Sequence, residues 1–365
     1  MSERSSGANH QCDLLALCAL LVDIPSVSHD EEAITEWLEA ELRAVPWLDI
    51  TRIDRNLVAR TSLGRTQRLI LAGHTDTVPV NGNLGSRIEG DTLWGIGSAD
   101  MKGGLAVQLE LARTVSEPVV DVTYVFYECE EVATEFNGLV KLLGTRPDLL
   151  EGDAAILGEP TDARVEAGCQ GTLRAAIRLA GERAHTARPW MGRNAIHRLG
   201  AVLDRLSSYE ERRPVLNGCE FREALQAVGV SGGVAGNVVP DRAEVTVNHR
   251  FAPDRTLDEA VDHVRALLDG VVDEAAGDEF VVLDAAAPAP PSLDHPLLAS
   301  LVASTGHPPR AKLGWTDVSF FAAAGIPATN FGPGDPTLAH TRDERVERAS
   351  IEAAFAALHR LLSDG

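Results

Sequence analysis

The chain has no Cys-x-x-Cys pair, no internal repeat, no apolar leader and no excess of positive charge, and each absence removes a class of function. Its cysteines, Cys12, Cys18, Cys129, Cys169 and Cys219, are odd in number and irregularly spaced. That excludes a disulfide framework and a zinc knuckle, and fits a reducing cytoplasm. The start, MSERSSGANHQ, lacks an apolar signal core, and no apolar run reaches the roughly 20 residues needed to span a membrane. Lys plus Arg number 33 against 54 Asp plus Glu, a formal charge of −21. This argues against nucleic acid or an anionic membrane as a partner. An anionic small molecule stays open, because binding responds to the local field of a cleft. At 365 residues, 44% of them hydrophobic, the chain is long enough for two cores.

Residues 1–10 are polar and read as frayed. From Asp13, leucine and alanine recur at helical spacing through Val22 and stop at Pro25; Asp30 is positioned to cap a second helix carrying Trp37, Leu38 and Leu42. Short strands around 48–52 and 57–60 precede the apolar run Leu69-Ile70-Leu71-Ala72, which has the length and flanks of a buried strand. A helix over 104–115, a strand over 119–127 and another over 153–157 complete an alternation that predicts an α/β domain with a mixed sheet. From about Thr172 the predicted order becomes β-α-β-β-α-β, the ferredoxin-like pattern of a small α+β domain. AAAPAPPS (285–292) reads as a return linker. The expected division is therefore 1–171 and 286–365 for a catalytic α/β domain, with 172–285 inserted as a lid and dimerisation domain.

The chemistry-bearing residues cluster at predicted strand ends. The Leu69 run delivers His74 and Asp76 as His-x-Asp. Further on, Asp100 follows a Gly-x-Gly turn and precedes Met101-Lys102-Gly103-Gly104. An imidazole and a carboxylate are ordinary ligands for zinc or a similar divalent ion. Asp76, too close to His74 to need ligand status, is placed to accept its other ring N–H and fix the tautomer. Glu130 and Glu131 follow the strand that ends near Tyr127. Neighbours at a strand end point in different directions, so the two can do different work.

GHTDTVPV (73–80) and GIGSADMKGG (95–104) resemble the two signature segments of the M20 metallopeptidase and deacylase family. YECEE (127–131), GEP (158–160) and His340 after NFGP match the same family in the same order. The resemblance implies two zinc ions per subunit, with cobalt or manganese as substitutes. His74, Asp100 and Glu159 would hold one, and Asp100, Glu131 and His340 the other, with Asp100 shared and a cis peptide directly after it. It also implies Glu130 as general base and His185, in GERAHTARPW, as a donor to the partner subunit's site in a homodimer formed through the lid. Asn237 and Arg250 match lid residues that contact substrate, and an Arg fork suits a carboxylate.

Outside the motifs, EAGCQGTLR, GGVAGNVVPD and KLGWTD are most similar to the branch that removes succinate from N-succinyl-LL-2,6-diaminopimelate in lysine biosynthesis. The implied function is that hydrolysis. An N-acetylornithine deacetylase or broader aminoacylase is the alternative within the family, and a catalytically silent binding protein the alternative of another class. GWTD (314–317) and the spacer GPGDPTLAH depart from the broader family pattern, which leaves Trp315, Thr316 and Asp335 outside the candidate set. His10, His29, His295, His307 and His359 read as loop or surface residues.

Overall fold

The computed structural model describes residues 13–364; the stretch 1–10 and Cys12 lie outside them. The chain forms two compact units, one running to Glu166 and resuming over Ser292–Pro309 and from Phe320, the other comprising Ala167–Pro291 and Arg310–Ser319. The sequence reading left 286–365 wholly with the first unit. Arg310–Ser319 departs from that because Lys312 N donates to Ala167 O at 3.3 Å and Lys312 O accepts from Gln170 N at 3.2 Å.

In chain order, α1 (Leu14–Val22) begins where Asp13 accepts the N–H groups of Leu15 and Ala16 at 3.0 and 3.3 Å, satisfying first-turn donors that have no partner within the helix. The expected Asp30 cap of α2 (Glu32–Arg43) does not form. Glu31 stands at the N-cap without a side-chain cap bond; its carboxylate instead accepts from His29 N at 2.9 Å and Cys129 N at 3.3 Å. Ile34, Leu38 and Leu42 form the buried face of α2 at the spacing of successive turns. Strands β1 (Asp49–Ile53), β2 (Asn56–Arg60), β3 (Arg68–His74) and β4 (Thr92–Trp94) follow, then α3 (Gly103–Thr114), β5 (Asp121–Tyr127) and β6 (Ala154–Leu157).

The second unit supplies β7 (Gly171–Ala180), α4 (Ala195–Ser207), β8 (Ala224–Gly232), β9 (Arg242–Phe251), α5 (Leu257–Leu267) and β10 (Glu279–Ala286). Its sheet runs β8-β9-β7-β10, all antiparallel. This is the ferredoxin-like arrangement that the order of elements predicts. Alternate residues of β7 and β9, among them Leu173, Ile177, Val245 and Val247, share a core with Leu199, Val202 and Val264 of the two helices. The chain closes with β11 (Ala328–Asn330), β12 (Arg345–Glu347) and α6 (Arg348–Ser363) in the first unit.

The large sheet of the first unit runs β1-β2-β5-β3-β6-β11. β3 is parallel to β5 and β6, and β6 to β11, whereas β1 and β2 form an antiparallel hairpin at the edge. β5 and β6 are buried at every position, as parallel strands covered on both faces must be. Helix α3 is buried from Gly103 to Ala112, and α6 packs Ile351, Ala354, Phe355, Leu358, Leu361 and Leu362 inward.

One buried group in the second unit makes its stability depend on pH. His249 on β9 is fully buried; its Nδ1 lies 3.1 Å from Ala224 O, and its Nε2 has no hydrogen-bond partner among the described residues. Burial pushes the imidazole down to about 4, outweighing the Ala224 carbonyl and the Glu223 charge, while His263 and Arg255 push it further down. The folded state thus keeps His249 neutral, whereas the unfolded chain takes the proton near pH 6.5. Stability from this residue is complete above that value and falls as pH drops toward about 4, by ~3 kcal/mol. Denaturant titrations from pH 7 to 4 should show this slope in the wild-type chain and a shallower one in His249→Phe. An unchanged slope in the variant would assign the acid sensitivity elsewhere.

Candidate metal centre

Parallel strands ending together bring the candidate ligands to one edge of the first unit. His74 closes β3 beside Tyr127, the last residue of β5. Leu157, which ends β6, lies beside Ala72 and precedes Glu159 by two residues. Asn330 ends β11 beside Leu157, and the chain then leads to His340. Asp100 arrives in the loop between β4 and α3. A Cβ at Gly104 would meet Gly158 O at 2.2 Å, and one at Gly332 would meet it at 2.3 Å. Glycine at these two positions lets α3 and the 331–333 turn close on the backbone leading to Glu159.

At the centre, each oxygen of Asp100 faces one imidazole. His74 Nε2 lies 3.2 Å from Oδ1 and His340 Nε2 lies 3.4 Å from Oδ2; His340 Nε2 is also 2.8 Å from Glu131 Oε1. Ligand atoms of His74, Asp100 and Glu131 all lie within 4.8 Å of one another. Burial alone would depress His74, but Asp100 and Asp76, with the Glu130 charge behind them, hold it well above its ordinary value. Bonds to Asp100 and Glu131 raise His340 to about 10. The Asp100 carboxyl resists burial and stays below its usual range because both imidazoles bond to it. The imidazole protons face Asp100 and Glu131 as positive charge, and a divalent cation is the natural replacement for them. The donor set of imidazole nitrogen and carboxylate oxygen suits such an ion, and a carboxylate with both oxygens engaged suits a pair of them.

Asp76 does more than its predicted orienting role. His74 Nδ1 lies 3.4 Å from Asp76 Oδ1 and 3.1 Å from the Asp76 carbonyl. The same carboxylate accepts from Glu130 N at 2.9 Å, Glu131 N at 3.1 Å and Ser28 Oγ at 2.8 Å. Cys129, at φ +58, turns the chain so that the next two N–H groups reach Asp76. Glu128 points the other way, to Asn56 Nδ2 at 3.1 Å and to the Arg55 guanidinium. Glu31, Glu128 and Cys129 form a second group with metal-binding atoms, but Arg55, paired with both glutamates, already supplies its counter-charge.

Several contributors carry no motif. Glu344, almost fully buried, accepts from the N–H groups of Gly97, Ala99 and Asp100, each at 3.0 Å. Burial raises its carboxyl to about 7 against the pull of those bonds. Lys102 is equally buried and donates to Ile24 O at 2.7 Å. In sequence, Glu344 is one of several charges in HTRDERVE, and only its position four residues after His340 marks it. The Asp100–Met101 peptide is cis. Asp335 closes the turn before His340 by accepting from Thr337 N at 2.8 Å and Thr337 Oγ1 at 2.7 Å.

The remaining candidates lie in the second unit. The segments carrying His185 and Asn237 run antiparallel, with His185 opposite Val238 and Thr186 N donating to Asn237 O at 3.1 Å. His185 Nδ1 accepts from Ala187 N at 3.0 Å, the tautomer in which Nε2 carries the ring proton. Arg250, half-buried on β9, makes no side-chain hydrogen bond or ion pair among the described residues.

Comparison with known proteins places this arrangement. Residues 70–364 match peptidase family M20/M25/M40. The chain is 54% identical, over 96% of its length and 98% of the relative's, to a protein of Mycobacterium tuberculosis provisionally named succinyl-diaminopimelate desuccinylase DapE. It is 43% identical, over the full length of both, to the succinyl-diaminopimelate desuccinylase of Corynebacterium glutamicum. Among solved structures, a tripeptidase from Staphylococcus aureus superposes with a TM-score of 0.79 at 20% identity, covering 96% of this chain and 97% of that one.

Because both oxygens of Asp76 act as acceptors, Asp76→Asn sets an amide N–H₂ against a backbone N–H. Metal affinity or activity should fall ~10–100-fold, the usual cost of losing a group that orients a ligand. Metal titration and turnover of the purified variant check this; wild-type values in both would remove Asp76 from the site's support.

Proposed function

The chain belongs to peptidase family M20/M25/M40, and from that membership we propose that it is a metal-dependent amidohydrolase cleaving N-succinyl-LL-2,6-diaminopimelate to succinate and LL-2,6-diaminopimelate. The observation that carries the reading is Asp100 with one imidazole on each oxygen, in a chain whose full-length relatives bear the desuccinylase name. Two divalent ions, zinc in this proposal with cobalt or manganese as substitutes, would be held by His74, Asp100 and Glu159 and by Asp100, Glu131 and His340, and would supply Lewis acidity toward the scissile carbonyl and the attacking water.

Glu130 is the proposed general base. It takes a proton from water as the water oxygen bonds to the acyl carbon, then passes it to the departing nitrogen as the C–N bond breaks. Asp76, by holding the Glu130 and Glu131 backbone and contacting the His74 ring, keeps base and ligands in one frame. Arg250, half-buried and without a side-chain ion pair among the described residues, is the proposed anchor for a substrate carboxylate, with Asn237 beside the substrate backbone. His185 Nε2–H is the proposed donor to the oxyanion, acting across a homodimer. The dimer surface in this reading is β8, an edge strand whose Val228 and Val230 are each 59% exposed; such an edge invites pairing with a second copy. Among the described residues no helix is long and apolar enough to cross a membrane. Among the described residues four cysteines are buried and free, which accords with the proposed cytoplasmic location.

Glu130→Gln keeps the shape and removes the proton acceptor, so kcat should fall by ~10²–10⁴ with metal retained. Mixing that variant with His185→Ala should restore activity, since one site of the heterodimer has Glu130 and receives His185 from its partner. No recovery despite demonstrated subunit exchange would end the proposal that His185 acts across the dimer.

Substrate choice is tested by charge. The succinyl substrate carries one carboxylate on its acyl side and two on the diaminopimelate side, whereas N-acetylornithine carries one. Arg250→Ala should lower kcat/KM for the succinyl compound by roughly tenfold or more, and by less for N-acetylornithine. Faster wild-type turnover of N-acetylornithine would move the chain to the deacetylase branch. Uptake of metal without turnover of either compound would favour a silent member of the family.

A further inference from the structure

We propose that Glu344 is a positioning residue of the metal centre, its carboxylate clamping the loop that carries Asp100 to the turn that carries His340. The proposal rests on the metal-centre reading above. The two segments first meet as an antiparallel pair, β12 against β4, with Arg345 opposite Trp94. Pairing continues one step further, where Gly95 N donates to Glu344 O at 3.2 Å. Beyond that the ladder does not run on, because Gly97 takes φ +77.

The side chain of Glu344 takes over where the backbone partner ends. Oε2 accepts from Gly97 N, and Oε1 accepts from both Ala99 N and Asp100 N. Two successive N–H groups converging on one carboxyl oxygen form a rigid cradle. One of them belongs to Asp100, the residue whose two oxygens face His74 and His340. The turn before Glu344 is tied down as well: Glu344 N donates to Thr341 O at 3.3 Å, and Asn83 Nδ2 donates to the same oxygen at 3.2 Å. One carboxylate therefore fixes the backbone of Asp100 relative to the turn that follows His340. Asp100, Glu131 and His340 depend on this clamp through two of their members, whereas His74, Asp100 and Glu159 depend on it through one. Loss of the clamp weakens the His340 side more.

Glutamine at this position offers one oxygen and sets its N–H₂ against a backbone donor, while Glu344→Asp keeps the charge on a shorter arm. The test is titration of the metal-stripped full chain with chelator-buffered Zn²⁺, with circular dichroism on the same samples and kcat measured at saturating Zn²⁺. The expected result for Glu344→Gln is an affinity for one of the two ions at least ~10-fold weaker, with kcat at saturating metal within a few-fold of wild type. Glu344→Asp should fall between. Unchanged affinity for both ions, or a kcat that stays low once both are bound, overturns the proposal. So does failure of both metal-free variants to fold, which would make Glu344 a residue of the fold alone. A wild-type chain that takes up no Zn²⁺ is a different failure, because it removes the metal centre itself.

Discussion

Carboxylates held at one sheet edge repel one another, and the architecture around this site is arranged to resist that repulsion. Asp76 and Glu131 follow the ends of parallel strands, with Glu159 at the same edge and Asp100 brought in by a loop, and burial works against the charged forms of Asp76 and Asp100. In the first unit the opposition comes from two imidazoles and from backbone N–H groups aimed at the acids. His74 and His340 sit on opposite oxygens of Asp100, while Asp76 and Glu344 between them accept five N–H groups from the two loops. N–H donors hold carboxylates without neutralising them, so the site keeps the negative charge that a pair of divalent cations requires.

The same economy separates the site from its surroundings. Glu128, two residues before Glu130, and Glu31 are both buried and are matched by Arg55. A fixed guanidinium completes that cluster, whereas the oxygens of Asp100 face the imidazoles of His74 and His340. The net charge of −21 is thus not evenly expressed: acids near the metal centre are held by N–H donors, and acids beside it by arginine. In the second unit Arg250 is half-buried and makes no ion pair among the described residues, though the Asp284 charge acts on it. An anionic substrate responds to such local features rather than to the total.

Much of the fold was legible because its signals are local. The apolar run before His74, the β-α-β-β-α-β order after Thr172 and the helical leucine spacing after Asp13 each reflect a periodicity that neighbouring residues carry. Where a role depends on a distant partner the reading failed or fell short. Asp30 looks like a cap, yet the Cys129 N–H, nearly a hundred positions away, belongs to the setting of Glu31 that displaces it. The return of Arg310–Ser319 to the second unit rests on backbone bonds between Lys312 and the start of that unit, which no composition shift announces.

By itself the sequence determined the chemistry on offer. His-x-Asp at a strand end, Asp100 after Gly-x-Gly, and paired glutamates after an apolar run are combinations whose meaning lies in residue type and spacing, and the family resemblance follows from them. Only the tertiary structure decided which oxygen meets which nitrogen. That Asp100 faces His74 on one side and His340 on the other, that Asp76 holds the Glu130–Glu131 backbone, and that Glu344 receives the Asp100 N–H all depend on contacts across dozens to hundreds of residues. The physical reason is that strand order and loop closure bring those atoms within hydrogen-bonding distance, and neither is written in the identity of a residue or its immediate neighbours.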